Sequence, residues 1–83
     1  MLNHSRAITI RFIGPTNYKP SRVAIYDPWH EQRVYLSLSG ADMLATARDY
    51  LKEREITIVS YGWTKSSTDE GVLLVDNFDK RIK

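Results

Sequence analysis

Ser39-Gly40-Ala41-Asp42-Met43-Leu44-Ala45-Thr46-Ala47-Arg48-Asp49-Tyr50-Leu51-Lys52-Glu53-Arg54-Glu55 is the stretch of this chain that reads convincingly as a helix. Met43, Leu44, Ala47, Tyr50 and Leu51 recur at helical spacing and line one face. Ser39 followed three residues later by Asp42 is a variant of the capping box, with an acid in the first turn. Lys52 and Arg54 stand near the other end, where cations suit the helix dipole. No glycine follows Glu55, so the C-terminal boundary is soft. One helix cannot bury its own apolar stripe, so the flanking segments must supply a sheet for it to pack on.

Those segments alternate like strands. Ile8-Thr9-Ile10-Arg11-Phe12 sends Ile8, Ile10 and Phe12 to one side. Ser21 to Tyr26 places Val23 and Ile25 on one face, with Arg22, Ala24 and Tyr26 on the other. Asp27-Pro28-Trp29-His30-Glu31 is a hairpin connection, because Asp-Pro initiates turns. Gln32 to Leu38 directs Val34, Leu36 and Leu38 inward and Arg33, Tyr35 and Ser37 outward. After the helix, Ile56 to Tyr61 is rich in β-branched residues, although its two faces compete. Thr64 to Gly71 is a polar loop and the expected mobile tip. Val72-Leu73-Leu74-Val75 is a continuous apolar run, which predicts cover on both sides or a central position. The charged tail from Asp79 to Lys83 is expected to fray.

The predicted fold is therefore α+β in the order βββαββ, a single domain over residues 1–83. One helix packs on one face of a mostly antiparallel five-stranded sheet. If the last strand pairs with the first, the sheet is wholly antiparallel with order 3-2-1-5-4. If the fourth pairs with the first, one parallel pair appears. Antiparallel pairs are the commoner kind, which favours the first arrangement.

Composition narrows the function. A chain of 83 residues buries only about 60% of its unfolded surface, so a deep catalytic pocket would compete with the core for the same residues. Cysteine is absent, which removes disulfides, thiolate metal sites and thiol catalysis together. The N-terminus lacks the apolar run of a signal peptide and no segment is apolar for long enough to span a bilayer, so a cytoplasmic protein is expected. The net charge of +2 is too small to make nucleic-acid binding the default. It is unevenly spread: residues 1–40 carry five Lys or Arg against two acids, and residues 41–83 carry seven against eight.

Little catalytic equipment is present. His30-Glu31 opens like a zinc-protease signature, but Val34 stands where the second histidine belongs. Asp27, His30 and Glu31 read better as a polar turn than as an ion site. Gly14-Pro15-Thr16-Asn17 offers amides and a hydroxyl that could hold a phosphate, but no helix follows to add its dipole, so a structural turn is preferred. The expectation is a non-enzyme with no catalytic residue, metal or cofactor.

What remains is surface. With the helix on one face, the opposite face of the first three strands presents Arg11, Arg22, Tyr26, Arg33 and Tyr35. Arginine and tyrosine together suit protein–protein hot spots, and also single-stranded nucleic acid through stacking and guanidinium contacts. They are equally good strand residues on a solvated face. Trp29 and Trp63 fall at a turn and a strand end, where a large ring either meets a partner or caps the small core. An exposed edge, the third strand or the fourth, could pair two copies into a homodimer. Asp49, Glu53 and Glu55 make the polar side of the helix a secondary surface.

Gly14-Pro15-Thr16-Asn17 followed by Ser21-Arg22-Val23 resembles small proteins encoded by bacteriophages and other mobile elements. These open with an apolar strand, continue Gly-Pro-Thr-Asn and soon reach Ser-Arg and a β-branched residue. Tyr61-Gly62-Trp63 and the restart at Gly71-Val72-Leu73 look similar as well. Pro20 departs from the pattern, standing where such proteins usually have glycine, and the second strand lacks their usual lysine. The resemblance implies no catalytic residue. It implies a context, because proteins of this kind often block host defence, anti-CRISPR inhibitors among them. The expected function is a phage or mobile-element interaction protein that inhibits a bacterial defence complex, with a small nucleic-acid-binding module as the alternative.

Overall fold

The structure is a computed structural model and describes residues 6–38, 42–64, 69–76 and 80–83. It has one helix and one five-stranded antiparallel sheet, as the α+β reading anticipates. The elements are β1 (Arg6–Ile13), β2 (Arg22–Asp27), β3 (Gln32–Ser37), α1 (Met43–Glu53), β4 (Ile58–Trp63) and β5 (Glu70–Val75). The strands lie in the order β3-β2-β1-β5-β4, so β5 inserts between β1 and β4 and every pairing is antiparallel.

Register explains the core. Ile10 stands opposite Ile25 on β2 and Gly71 on β5, Ile8 opposite Leu73, and Ile25 opposite Val34. Cross-strand partners share a face, so these residues form continuous apolar rows. Met43, Ala47 and Leu51 of α1 join them in one buried cluster with Ile8, Ile10, Val23, Ile25, Leu73 and Val75. Leu44 and Tyr50 pack at its margin.

The helix ends are built differently from the sequence expectation. Asp42 is the N-cap and accepts the amide of Ala45 at 3.2 Å. Ser39, the expected cap, lies outside the described residues. The C-terminus is a Schellman motif: the amide of Glu55 reaches the carbonyl of Lys52 and that of Ile56 the carbonyl of Leu51, each at 3.0 Å. Glu55 takes the left-handed conformation with φ of 61°, the role glycine usually fills. Ile56 and Leu51 are both buried in the core, which is the apolar contact this motif carries. Ile56 therefore closes the helix and does not begin β4.

Two further expectations are corrected and two open readings are decided. Phe12, expected inward, is 39% exposed. It lies near the end of β1, where its amide donates to the Asp69 carbonyl. Of the two readings of the apolar run of β5, the inner position holds, between β1 and β4, whereas cover on both sides does not, with Leu73 and Val75 buried and Leu74 exposed. Ser60 pairs with Leu74 and Tyr61 with Leu73 after a bulge at Val59, which resolves the competing faces of β4. The tail was expected to fray, yet Ile82 is fully buried in the core and its carbonyl accepts the Tyr50 hydroxyl at 2.6 Å. Residues 65–68 of the polar loop and Asp79 of the tail lie outside the described residues.

Candidate functional site

Period-two alternation decides what the other face of the sheet offers. Tyr26 pairs across with Thr9 and with Arg33, Ala24 with Arg11 and with Tyr35, and Arg22 with Ile13 and with Ser37. The rows run diagonally from β3 to β5, where Val72 opposes Thr9 and Glu70 opposes Arg11. Five of the seven residues singled out from sequence thus share one face: Arg11, Arg22, Tyr26, Arg33 and Tyr35.

Two of these arginines are already organised by the tyrosines. The Arg33 guanidinium lies 4.9 Å from the Tyr26 ring centroid, and that of Arg22 lies 5.6 Å from the Tyr35 centroid. Such contacts are worth about 0.5–1 kcal/mol each at an exposed site. They hold both long side chains over the tyrosine rings. The Nε of Arg22 is buried and has no hydrogen-bond partner among the described residues. Beside the Arg33–Tyr26 pair lies a shallow concavity of about 250 Å³, lined by Thr9, Ile10, Arg11, Ala24, Tyr26, Arg33 and Glu70. Its depth comes from Ala24, whose small side chain is buried between larger neighbours.

The remaining sequence candidates fall elsewhere. Trp29 projects from the β2–β3 hairpin and is 62% exposed. Trp63 lies on the buried-face side of β4, opposite Gly71. A Cβ built on Gly71 would come within 2.9 Å of the Trp63 ring and of the Gly62 carbonyl oxygen, so the indole roofs the glycine. Trp63 therefore covers Gly71 and stays partly exposed. Gly14, Pro15, Thr16 and Asn17 are exposed in the β1–β2 connection. Thr16 donates its amide to the Lys19 carbonyl and accepts the amides of Tyr18 and Lys19 on its hydroxyl, so this turn spends its own polar groups internally.

One cluster escaped the sequence reading. Arg6 and Asp27 are buried at the same end of the core face, with Arg6 Nη1 3.6 Å from Asp27 Oδ2. His30 Nδ1 lies 2.8 Å from that oxygen and 3.1 Å from Arg6 Nη1. A protonated Nδ1 donates to the carboxylate and an unprotonated one accepts from the guanidinium, so one nitrogen makes one bond or the other. Asp27 Oδ1 accepts the Trp29 amide at 3.1 Å, and Arg6 also donates to the Lys80 carbonyl. This network ties β1, the hairpin and the tail together. The signal was in the alternation: Arg6 is two residues before Ile8, and Asp27 two after Ile25, which puts opposite charges on the core face at one strand end.

No group of three or more His, Asp or Glu side chains converges as a metal site among the described residues. Nor is any helix among them long and apolar enough to cross a membrane.

The class defined by this geometry is a small α+β domain with one buried sheet face and one open cationic–aromatic face. Comparison of the chain with family models, with curated proteins and with solved structures found no match.

Proposed function

We propose that this chain is a small stoichiometric binding protein, in which α1 covers one face of the βββαββ sheet and the other face engages a protein partner without catalysis. The observation that carries this reading is the pair of tyrosine-stacked arginines, Arg22 on Tyr35 and Arg33 on Tyr26, beside Arg11 and a shallow concavity. Arginine and tyrosine are the residues that dominate binding energy at protein interfaces, and stacking lowers the entropy lost on docking. Guanidinium groups suit the carboxylates of an acidic surface, which they can bind through two parallel hydrogen bonds. The resemblance to phage and mobile-element proteins makes a bacterial defence complex in the host cytoplasm the candidate target, with anti-CRISPR inhibition its most concrete form. Tagged protein expressed in a host carrying such a complex should enrich one of its subunits, and Arg11→Ala/Arg22→Ala/Arg33→Ala should lose it. Absence of any defence component from the wild-type eluate would sink the reading.

The concavity between Arg11 and Arg33 favours a second reading, single-stranded nucleic acid with a phosphate in the hollow. It ranks lower because each tyrosine has a guanidinium over its ring, where a base would have to stack. Binding to an oligonucleotide that falls steeply between about 50 and 200 mM salt would promote it.

A further inference from the structure

The two edges of the sheet are unequal. β3 carries Arg33 at one edge, and a charged side chain there discourages another strand from pairing. β4 forms the opposite edge, and from Thr57 to Thr64 the chain has no charged residue and no proline. Its residues Ile58-Val59-Ser60-Tyr61-Gly62-Trp63 are β-branched, small or aromatic, the composition of a paired strand and not of a protected edge. Val59 and Tyr61 are 61% and 56% exposed. Among the described residues the bulge at Val59 is the device that interrupts this edge, and it leaves Ser60 to Trp63 regular. Beside this edge a groove of about 450 Å³ runs between α1 and β4, lined by Leu44, Arg48, Ile58, Val59, Ser60 and Tyr61.

We infer that β4 pairs antiparallel with β4 of a second copy of this chain, extending the sheet to ten strands across a two-fold axis. Charge selects the occupant. A neutral strand meets its own copy without like charges opposed, whereas self-pairing of β3 would bring two Arg33 side chains together. Faces select the register. Residues that pair must point to the same side, so pairing centred on Tyr61 sets it against the partner's Tyr61 on the groove side. It also sets the small Ser60 against the partner's Gly62 on the open side. Area sets the strength. The exposed parts of Val59, Tyr61, Trp63 and the groove amount to roughly 500 Å² per copy, or ~1,000 Å² in all, the lower edge of specific interfaces. Interfaces at that edge belong to the weak, transient end of the range. The axis stands perpendicular to the sheet, so both Arg/Tyr faces point the same way and a partner with two sites gains from bivalency. The dimer does not depend on which partner that face binds.

Sedimentation velocity of the intact chain from about 1 μM to 1 mM tests this, a range chosen for an interface of this size. A monomer that becomes a dimer over that range is expected. Tyr61→Lys and Val59→Lys, both at exposed positions, should weaken it tenfold or more, while Ser37→Lys on β3 should leave it unchanged; circular dichroism identifies any variant that fails to fold. Because the chain has no cysteine, Tyr61→Cys gives one unambiguous cross-link, since opposed Cα atoms in such pairs are about 4.5–5.5 Å apart. Rapid oxidation of Tyr61→Cys to a covalent dimer, with none for Ser37→Cys, supports the pairing. A monomer at every concentration overturns it, as does a dimer that survives both lysine variants.

Discussion

The two faces of this sheet are made by the same strands and obey opposite rules. Ile8, Ile10, Val23, Ile25, Leu73 and Val75 point one way and are fully or almost fully buried. Thr9, Arg11, Arg22, Tyr26, Arg33 and Tyr35 point the other way and stay half-buried or exposed. The buried face tolerates charge only where Arg6 and Asp27 neutralise each other, because a lone buried charge loses its hydration with nothing in return. The open face keeps Arg11 and Arg33 exposed to water, and Arg22 half-buried beside Tyr35. Stability is thus concentrated on one face, and the other is free to carry recognition.

The contrast is broken most severely at Asp27. Asp27→Asn keeps the shape but leaves the Arg6 guanidinium buried beside a neutral group, and should cost about 3–5 kcal/mol in urea-monitored unfolding. A loss below about 1 kcal/mol would mean that water already reaches the pair. Ile82→Ala comes next. Removing a fully buried side chain should cost about 2–4 kcal/mol, and a near-neutral result would restore the frayed tail that composition suggests. Gly71→Ala probes the margin of the same face, where the added methyl meets both the Trp63 ring and the backbone oxygen of Gly62. A loss of about 1–3 kcal/mol is expected, accompanied by a change in tryptophan fluorescence as the indole lifts.

On the open face, Arg22→Ala and Arg33→Ala should each change stability by less than about 1 kcal/mol, the stacking energy alone. A larger loss would show that this face is structural and would remove the ground for reading it as a binding surface. The smallest effect lies at the helix end. The Lys80 ammonium, 2.9 Å from Glu55 Oε2, holds the Glu55 carboxyl below its ordinary value through a hydrogen bond and charge attraction. A depressed folded pKa means that the ion pair stabilises above the unfolded value of about 4.3 and is lost as pH falls through the folded one. Glu55→Gln should therefore lower stability slightly at neutral pH, where the ion pair is formed, and leave it unchanged below the folded pKa, so that the acid limb of the stability–pH curve flattens.

Much of this was legible in the chain. The alternation of Ile8, Ile10, Val23 and Ile25 needs only the two-residue period of a strand, and Met43, Ala47 and Leu51 only that of a helix. The five residues of the open face followed from the same count. Phe12 failed because alternation assigns a side but not the extent of the cover above it. Trp63 could not be placed without Gly71, which shares its row through a register that no local pattern reveals. Ile82 stands alone in a charged tail, where a single apolar residue has no period to announce it.

By itself, the sequence determined which residues share a face, because Cβ direction is a local property of the backbone. It also determined that one helix had to be matched by a sheet, because an apolar stripe of that width cannot stay in water. The tertiary structure decided what depends on contacts between distant residues: the meeting of Arg6 with Asp27 and Lys80, the burial of Ile82, and the choice between two strand orders, of which the sequence favoured the one found only on the general preference for antiparallel pairs. The reason is physical. Local periodicity costs nothing to propagate along a strand, whereas a non-local contact exists only after the whole chain has closed its loops.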